Sequence, residues 1–425
     1  MASRALARPS DASARLTMRH VVVMIASSYP RFPGDGIGSF MEPIAKGVAA
    51  RGHEVHVVAP WHPAITRGRV EDGVFFHFYK YAPVAALNVF GYASGLRADT
   101  ALKARTWMAA PAALAAGWYK AWRVASKRGA TVVHGHWVVP GGVTAVTSAG
   151  RRPVVISLHG SDVYVAEKNR TAGRAARFAF DRAGWVTACS DDLRQRALAL
   201  GAREDRSETL PYGVDSVRFA PNAAAREAVR RELGIDRGPL VVTAGRLVRK
   251  KGFEYLIDAA RLLAADFPGL RVVIAGEGDL RNELAARASG LPAIALVGNR
   301  SQDDIARLAA AADVIAVPSV HDEAGNVDGL PNFALEAVAS GTPVVATMAG
   351  GLPQLIEDGV TGRLVPERDA AALAGAIRDL ASHPDAAHAI GAAGRARVIR
   401  DFGWPRVAER LDAIYTSLVE RDRRR

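Results

Sequence analysis

Asp328-Gly-Leu-Pro-Asn-Phe-Ala-Leu-Glu336-Ala-Val-Ala-Ser-Gly-Thr-Pro-Val-Val-Ala346 reads as turn, helix and strand in succession. Gly329-Leu330-Pro331 makes the turn, and a helix beginning near Pro331 carries Glu336. Ser340-Gly341-Thr342-Pro343 then ends that helix and feeds the strand Val344-Val345-Ala346. About eighty residues upstream, another strand end carries Gly245-Arg246-Leu247-Val248-Arg249-Lys250-Lys251-Gly252. Cations at one strand end and two carboxylates at another suit a ligand with a diphosphate at one end and hydroxyls at the other. That is the chemical outline of a nucleotide sugar.

Working outward, the same alternation of short apolar strand and amphipathic helix fills the chain. It predicts an α/β protein with parallel sheets covered on both faces. In the first half the predicted strands are His20–Ala26, Glu54–Ala59, Val74–Phe78, Thr131–His134, Val154–Leu158 and Trp185–Ala188. In the second they are Leu240–Ala244, Leu270–Ala275, Ile294–Val297, Val314–Val317 and Val344–Ala346. Two Rossmann-like doubly wound domains facing a cleft are expected, 18–217 and 218–401, joined near Leu210–Phe219. An amphipathic helix within 402–425 is expected to pack back on the first. Ligands sit beyond the carboxyl ends of parallel strands, so motifs at those ends can converge in the cleft.

Length and composition agree. The 425 residues suffice for two cores, and 49% hydrophobic with 23% charged residues is ordinary for a globular chain. A single cysteine, Cys189, rules out an internal disulfide framework and reads as a structural thiol at a strand end. The formal charge of +12 lacks a basic block interleaved with aromatics, a helix-turn-helix or a zinc spacing, so nucleic acid is not the expected partner. Anionic nucleotides and an anionic membrane surface are the milder readings. Residues 1–17 are expected to be a disordered extension without the apolar core of a signal peptide, and Met18 is a candidate start. The uncharged run 129–150 is long enough to span a bilayer, but His134, His136, Pro140, Gly141 and Gly142 in its middle favour strand, loop and helix start. The expected location is the cytoplasm, with peripheral contact to the inner membrane face. Between Tyr81 and Arg128, Trp107, Trp118, Tyr119 and Trp122 stand among Arg97, Lys103, Arg105, Lys120, Arg123, Lys127 and Arg128. Such helices suit a membrane interface, or simply cover a core.

Each candidate site residue carries a definite chemistry. Arg246 offers a planar fork and Lys251 a point charge, a pair able to hold a diphosphate and the charge that grows on it as a glycosyl bond breaks. Cations are unfavourable at a helix start, so the triplet Arg249-Lys250-Lys251 wants an anion. Glu336 can accept two hydroxyl bonds from a ribose, and Asp328 lies within reach of a sugar ring. Backbone N–H groups of Asn332, Phe333 and Ala334 are expected to face a phosphate at their helix start. The alternative is that Asp328 caps that helix and Glu336 is merely solvated. Gly36 and Gly38, in Pro33-Gly34-Asp-Gly36-Ile-Gly38-Ser-Phe40, let backbone approach a ligand or make a plain turn; they do not form a dinucleotide fingerprint. His159, in His159-Gly160-Ser161-Asp162, can bond a sugar hydroxyl or steady a leaving oxygen, with Asp162 orienting it or capping the next helix. His134 and His136 share a strand face by default, and no third ligand suggests a metal. Glycine turns at Gly276-Glu-Gly278 and Gly350-Gly351 serve either a phosphate or close packing.

Together these segments resemble the retaining glycosyltransferases of family 4, which have the GT-B architecture. The resemblance spans about 19–420. It is carried by Gly36-Ile-Gly38-Ser-Phe40, Ala50-Arg-Gly-His-Glu-Val55, His159-Gly-Ser-Asp162, Pro211-Tyr-Gly-Val-Asp215, Gly245-Arg-Leu247, Lys250-Lys-Gly252, Ala275-Gly-Glu-Gly278 and Asp328 through Gly341. It implies transfer of a hexose from a UDP-, GDP- or ADP-sugar to a glycan or lipid-linked acceptor, with retained configuration and no obligatory metal or other cofactor. It also implies Arg246 and Lys251 as diphosphate clamp, Glu336 as ribose ligand, His159 as donor-sugar contact and Val297 as part of the base pocket. Two departures stand out: the family usually has glutamate where this chain has Asp328, and asparagine where it has Tyr212. A sugar-nucleotide epimerase, a non-catalytic nucleotide-sugar binder and a Rossmann dehydrogenase are the rivals. Product from donor alone, binding without nucleotide release, and NAD-dependent absorbance would respectively reveal them.

Overall fold

The computed structural model describes residues 18–92, 96–97, 101–102, 104–323 and 325–424. The expected extension 1–17 lies outside the described residues, as do Lys103 and the side chains of Arg97, Arg105 and Trp107.

The first lobe contains β1 (Val21–Ile25), β2 (Glu54–Pro60), β3 (Val70–Glu71), β4 (Val74–Tyr79), β5 (Leu96–Arg97), β6 (Ala101–Leu102), β7 (Val132–His136), β8 (Val154–Leu158), β9 (Trp185–Ala188) and β10 (Ser207–Thr209). Its helices are α1 (Met41–Ala50), α2 (Ala104–Lys127), α3 (Val143–Ser148), α4 (Ser161–Lys168), α5 (Arg170–Arg182) and α6 (Asp191–Ala199). The sheet order is β10-β9-β8-β7-β1-β2-β4-β3, parallel except for β3, and β5 pairs antiparallel with β6. Apolar runs such as Val-Val-Val-Met-Ile make β1 because both of its faces are covered. Val22 and Met24 pack toward α1 while Val23 and Ile25 pack toward α2, the period of two that a strand imposes.

The second lobe contains β11 (Leu240–Ala244), β12 (Arg271–Ala275), β13 (Ile294–Gly298), β14 (Val314–Val317), β15 (Val344–Thr347) and β16 (Arg363–Val365). Its helices are α7 (Ala223–Glu232), α8 (Phe253–Leu263), α9 (Arg281–Arg287), α10 (Gln302–Ala311), α11 (Asn332–Ala339), α12 (Leu352–Leu355), α13 (Ala370–Ser382) and α14 (Pro384–Asp401). The order β13-β12-β11-β14-β15-β16 is fully parallel and reverses between β11 and β14, the point where doubly wound sheets bind ligands. In the first sheet the same reversal falls between β1 and β7.

The chain crosses between the lobes twice, side by side: Val214 N–H donates to the Phe402 carbonyl at 2.9 Å. After the second crossing, α15 (Trp404–Arg423) lies against α1 and buries Val407, Leu411, Ile414, Tyr415 and Leu418 in the first lobe's core. The six strands expected in the first half and the five expected in the second all form. The sequence reading lacks β3, β5, β6, β10 and β16, which are only two or three residues long. It also ends β7 two residues early, at His134 rather than His136.

Candidate active site

Loops at the carboxyl ends of the two sheets face each other. Gly329 packs against the Cys189 thiol and Leu193, Gly351 against Ser190, and Asn332 Nδ2 lies 3.4 Å from Ser39 Oγ across the gap. Gln354 on α12 hydrogen-bonds the Asp191 carboxylate and accepts from the Asp191 N–H at 3.1 Å, tying the rims together.

On the second lobe, Gly245 (φ 155°) and exposed Arg246 follow the end of β11. A Cβ at Gly245 would stand 3.2 Å from Lys251 Cε, so the Lys251 chain runs past the strand end from which Arg246 leaves. The next turn, Arg249–Lys251, closes on Gly252, whose φ of +61° and contact with the Pro318 carbonyl leave no room for a side chain. That contact presses the turn onto the loop between β14 and α11, and Val320 N–H donates to the Lys250 carbonyl at 2.9 Å. Asp328, on the same loop, therefore meets both lysines: Lys250 Nζ at 3.0 Å from Oδ1 and Lys251 Nζ at 2.6 Å from Oδ2. Burial alone would push the Asp328 carboxyl up; the two ammonium groups overcome it and hold it well below the carboxylate range. The anion that the basic triplet wants is thus partly internal. Arg249 turns away to a bidentate pair with Glu283 at 2.7 and 2.8 Å. Lys250, 8% exposed, is a site residue that the spacing alone did not single out.

Glu336, fifth residue of α11, is half-buried. Burial pushes its carboxyl up to about 7, against a hydrogen bond from Gln302 and the charges of Arg218 and Lys251. Lys251 thus acts on both carboxylates. Gln302 opens α10, four residues past the end of β13, whose Val297 is half-buried. Asp328 does not cap α11, whose N-cap is Pro331 without a side-chain bond. Of the three N–H groups expected to face a ligand, that of Ala334 is already given to the Pro331 carbonyl at 3.0 Å, because the chain turns tightly there.

On the first lobe, His159 leaves β8 with both ring nitrogens engaged: Nδ1 is 2.7 Å from the Tyr212 hydroxyl and Nε2 is 3.0 Å from His136 Nδ1. Phe40, at the end of the glycine loop, stacks on Tyr212 and lies 4.5 Å from His159, and Trp137 meets the ring edge to face. Burial holds His159 and His136 neutral, far below the usual histidine range. Asp162 neither caps α4 nor touches an imidazole. It accepts from the N–H groups of Val138 (2.7 Å), Gly160 (3.0 Å) and His159 (3.4 Å), pinning two loops. Gly38 takes φ 64° where a Cβ would crowd Ser28 Oγ, while Gly36 is exposed. Tyr212, noted in the sequence only as a departure from asparagine, is the partner of His159, and its hydroxyl also meets the Cys189 thiol. Burial pushes that thiol up to about 12, in keeping with a structural cysteine. Among the described residues no group of three or more His, Cys, Asp or Glu is placed to hold a metal, and His134 instead bonds Tyr415 and Ser157, each at 2.7 Å.

Residues 34–218 match the family described as Glycosyltransferase Family 4, and residues 238–383 match Glycosyl transferases group 1. A GDP-mannose-dependent alpha-(1-6)-phosphatidylinositol monomannoside mannosyltransferase of Mycolicibacterium smegmatis is 36% identical over 278 residues, 64% of this chain and 72% of that one. A glycogen synthase of Mycobacterium tuberculosis is 27% identical over 424 residues, 95% of this chain and 96% of its own. Among solved structures, Anabaena HepE in complex with UDP superposes with a TM-score of 0.75 at 20% identity, over 94% of this chain and 100% of that one. Sucrose-phosphate synthase from Thermosynechococcus elongatus gives 0.76 at 21% identity, over 94% and 99%. These two likenesses speak for the fold. The matched segments and the extent of the mannosyltransferase relative show that the chain belongs to the family 4, group 1 glycosyltransferases, and that it is a glycosyltransferase of GT-B architecture.

Proposed function

We propose that the enzyme transfers a hexose, with retained configuration, from a nucleoside-diphosphate sugar to a hydroxyl of a lipid-linked acceptor at the cytoplasmic membrane face. The mannosyltransferase relatives act with GDP-mannose, which makes GDP-mannose the first donor to test. The observation that carries this reading is the convergence of Lys251 with Asp328 and Glu336 at the strand ends. A diphosphate between Arg246 and Lys251 places the pentose of the same nucleotide at Glu336, with Val297 beside the base and the open N–H groups of Asn332 and Phe333 toward phosphate oxygen. Gly36 and Gly38 keep the facing loop low enough for the sugar to lie between the lobes.

The acceptor hydroxyl attacks the anomeric carbon from the side of the departing diphosphate. As the new C–O bond forms, the old one breaks, its electron pair goes to the diphosphate, and the hydroxyl proton follows to that oxygen. Arg246 and Lys251 hold the growing charge, so two cationic side chains take the place a metal ion would have. Asp328, anchored on the lysines, is the side chain closest in kind to a group that could touch the sugar. His159, uncharged and packed on Phe40, offers the sugar a polar edge once one of its two bonds is exchanged.

A thermal-shift panel of UDP-, GDP- and ADP-sugars, followed by transfer to lipid extract with and without EDTA, tests the reading. GDP-mannose giving the largest shift, and labelled mannolipid forming equally in EDTA, are the expected results. Nucleotide release without labelled lipid, or epimerised sugar from donor alone, would overturn it.

A further inference from the structure

We infer that the second lobe carries a further pocket, separate from the donor site, that takes a neutral, hydroxyl-rich ligand the size of one hexose unit, and that filling it tightens the donor clamp. The coupling rests on the reading of Lys251 as a donor ligand, but sugar binding is measured without donor or turnover, so the two can fail separately.

A cavity of about 230 Å³ lies between the turn Arg249–Lys251, the start of α8, the end of α9 and the loops that follow β14 and β16. Its walls are braced. The His321 N–H donates to Glu367 Oε2 at 2.7 Å and the ring Nδ1 is 2.8 Å from Oε1, while Arg368 donates to the His321 carbonyl. Arg368 does so from φ 60°, a conformation that residues with a side chain rarely adopt and keep only where their surroundings hold it. Asp322 closes the same loop by accepting from the Asn326 N–H at 2.8 Å.

One group in this wall lacks a partner. Glu254 lines the cavity and is 7% exposed, and among the described residues nothing hydrogen-bonds its Oε2. Its Oε1 lies 3.6 Å from Arg249 Nη1. A buried carboxylate oxygen without a donor is costly, and the soft terminal torsion of a glutamate lets either oxygen turn to a donor in the cavity.

Charge selects the class of ligand. Three guanidinium groups (Arg249, Arg287, Arg368) and three carboxylates (Glu254, Asp322, Glu323) line the cavity, so their charges cancel and neither a phosphate nor an ammonium is favoured. Among the described residues the carboxylates are not grouped to hold a metal ion. Arg249 is already paired with Glu283 and Arg287 with Asp258, and each guanidinium keeps N–H donors beyond its pair. The wall therefore offers spare donors beside a spare acceptor. A sugar hydroxyl both donates and accepts, and Tyr255 with Val320 supplies an apolar surface for the C–H face of the ring.

The cavity and the clamp share their walls. Arg249 lines the cavity, while Lys250 and Lys251 in the same turn hold Asp328. Val320 also lines it, and its N–H donates to the Lys250 carbonyl. A sugar bonded to Glu254 and Arg249 thus fixes both the turn and the loop that position the lysines. Linkage requires the nucleotide to tighten the sugar by the same factor.

Saturation-transfer NMR and calorimetry on the full chain test this, with free mannose, glucose and galactose in one arm and oligosaccharides ending in them in the other. Saturable binding is expected: by free hexose alone if the ligand is a small metabolite, by the oligosaccharides if it is a glycan end. Glu254→Gln and Arg287→Ala should each lower that affinity about tenfold. Both should keep the wild-type melting temperature and, without sugar, the wild-type affinity for the tightest of GDP, UDP and ADP. Saturating sugar should raise that nucleotide affinity about fivefold, and the nucleotide should raise sugar affinity equally. No binding in either arm, binding that survives both variants, or hexose 6-phosphate binding more tightly than hexose would overturn the pocket. Nucleotide affinity unchanged by sugar would overturn the coupling, whereas failure of all three nucleotides to bind would overturn the donor reading and leave sugar binding to be judged by itself.

Discussion

Lys250 and Lys251 close on one carboxylate from two sides, and that sharing governs how a diphosphate enters. If Lys251 moves to the donor, Asp328 keeps Lys250 and is not left as an unpaired buried charge, a state that costs several kcal/mol. Without Lys250, Lys251 would be the sole ammonium on Asp328 and would be withheld from the donor. Lys250→Met is therefore expected to weaken donor binding roughly tenfold with a smaller effect on kcat, and Lys250→Arg to recover part of it; calorimetric titration with donor reads this directly. Lys251→Ala, by contrast, should cut kcat by about a hundredfold, the scale of removing a preorganised charge partner. Glu336 gives a second test. Its carboxyl titrates near 7 because burial outweighs the help of Gln302, Arg218 and Lys251. The ionised form accepts ribose hydroxyls, so nucleoside-diphosphate affinity should fall as pH drops below about 7, and Glu336→Gln should bind weakly with a flat pH profile. The stability sign is the reverse. A folded value of about 7 above an ordinary 4.5 means the folded chain holds the extra proton in that window. Glu336's contribution is complete below pH 4.5 and is lost as pH rises through 7. That Lys251 and both carboxylates come together was legible in the sequence because strand-end loops have fixed destinations in a doubly wound sheet. The role of Lys250 was not, since no spacing tells how closely the loop before α11 presses on the turn before α8.

The helix that returns to the first lobe shows what element-level packing adds. Periodic apolar residues alone predict that α15 packs somewhere; its polar residues show where. Asp412, 4% exposed, accepts from Arg51 at 2.8 Å and lies 3.0 Å from His53, while Thr416 lies 3.0 Å from His20 and Tyr415 2.7 Å from His134. Each bond is addressed to a different part of one face, so sliding α15 by a turn would leave several buried groups unpaired. Asp412→Ala strands Arg51 and His53 together and is expected to cost about 1–3 kcal/mol. Limited proteolysis should then cut near Gly403 first, whereas the exposed neighbour Glu409 should tolerate alanine with no change in cleavage. The short strands mark the other limit of legibility. Three residues such as Arg363-Leu364-Val365 carry too little periodicity to be read, and β16 exists because β15 offers it an edge. Ala334 illustrates the same limit at a helix start, where the tight turn at Pro331 takes an N–H that an idealised helix leaves open.

Across the whole molecule, buried histidines are concentrated in the first lobe. His20 and His77 are lowered to about 4 and His134 to about 3, burial being the main cause in each; His53, His56, His136 and His159 are lowered too. All titrate at an ordinary 6.5 once unfolded, so below that pH the unfolded lobe binds protons that the folded lobe refuses. Stability is therefore complete above pH 6.5 and is lost progressively as pH falls toward 4. His20, fully buried between His53 and Tyr415, accounts alone for on the order of 3 kcal/mol over that window. In the second lobe Glu336 works in the opposite direction. The lobes should then part company in acid: hydrogen exchange at pH 5 compared with pH 7 is expected to deprotect peptides from 20–60, 130–160 and 404–420 together, because α15 shares the histidine core. Peptides from β11, β12 and β14 should keep their protection over the same range. Uniform loss across both sheets would show that the interlobe contacts at Gly329 and Gln354 bind the halves into one cooperative unit, and the separate titration of the two lobes would be wrong.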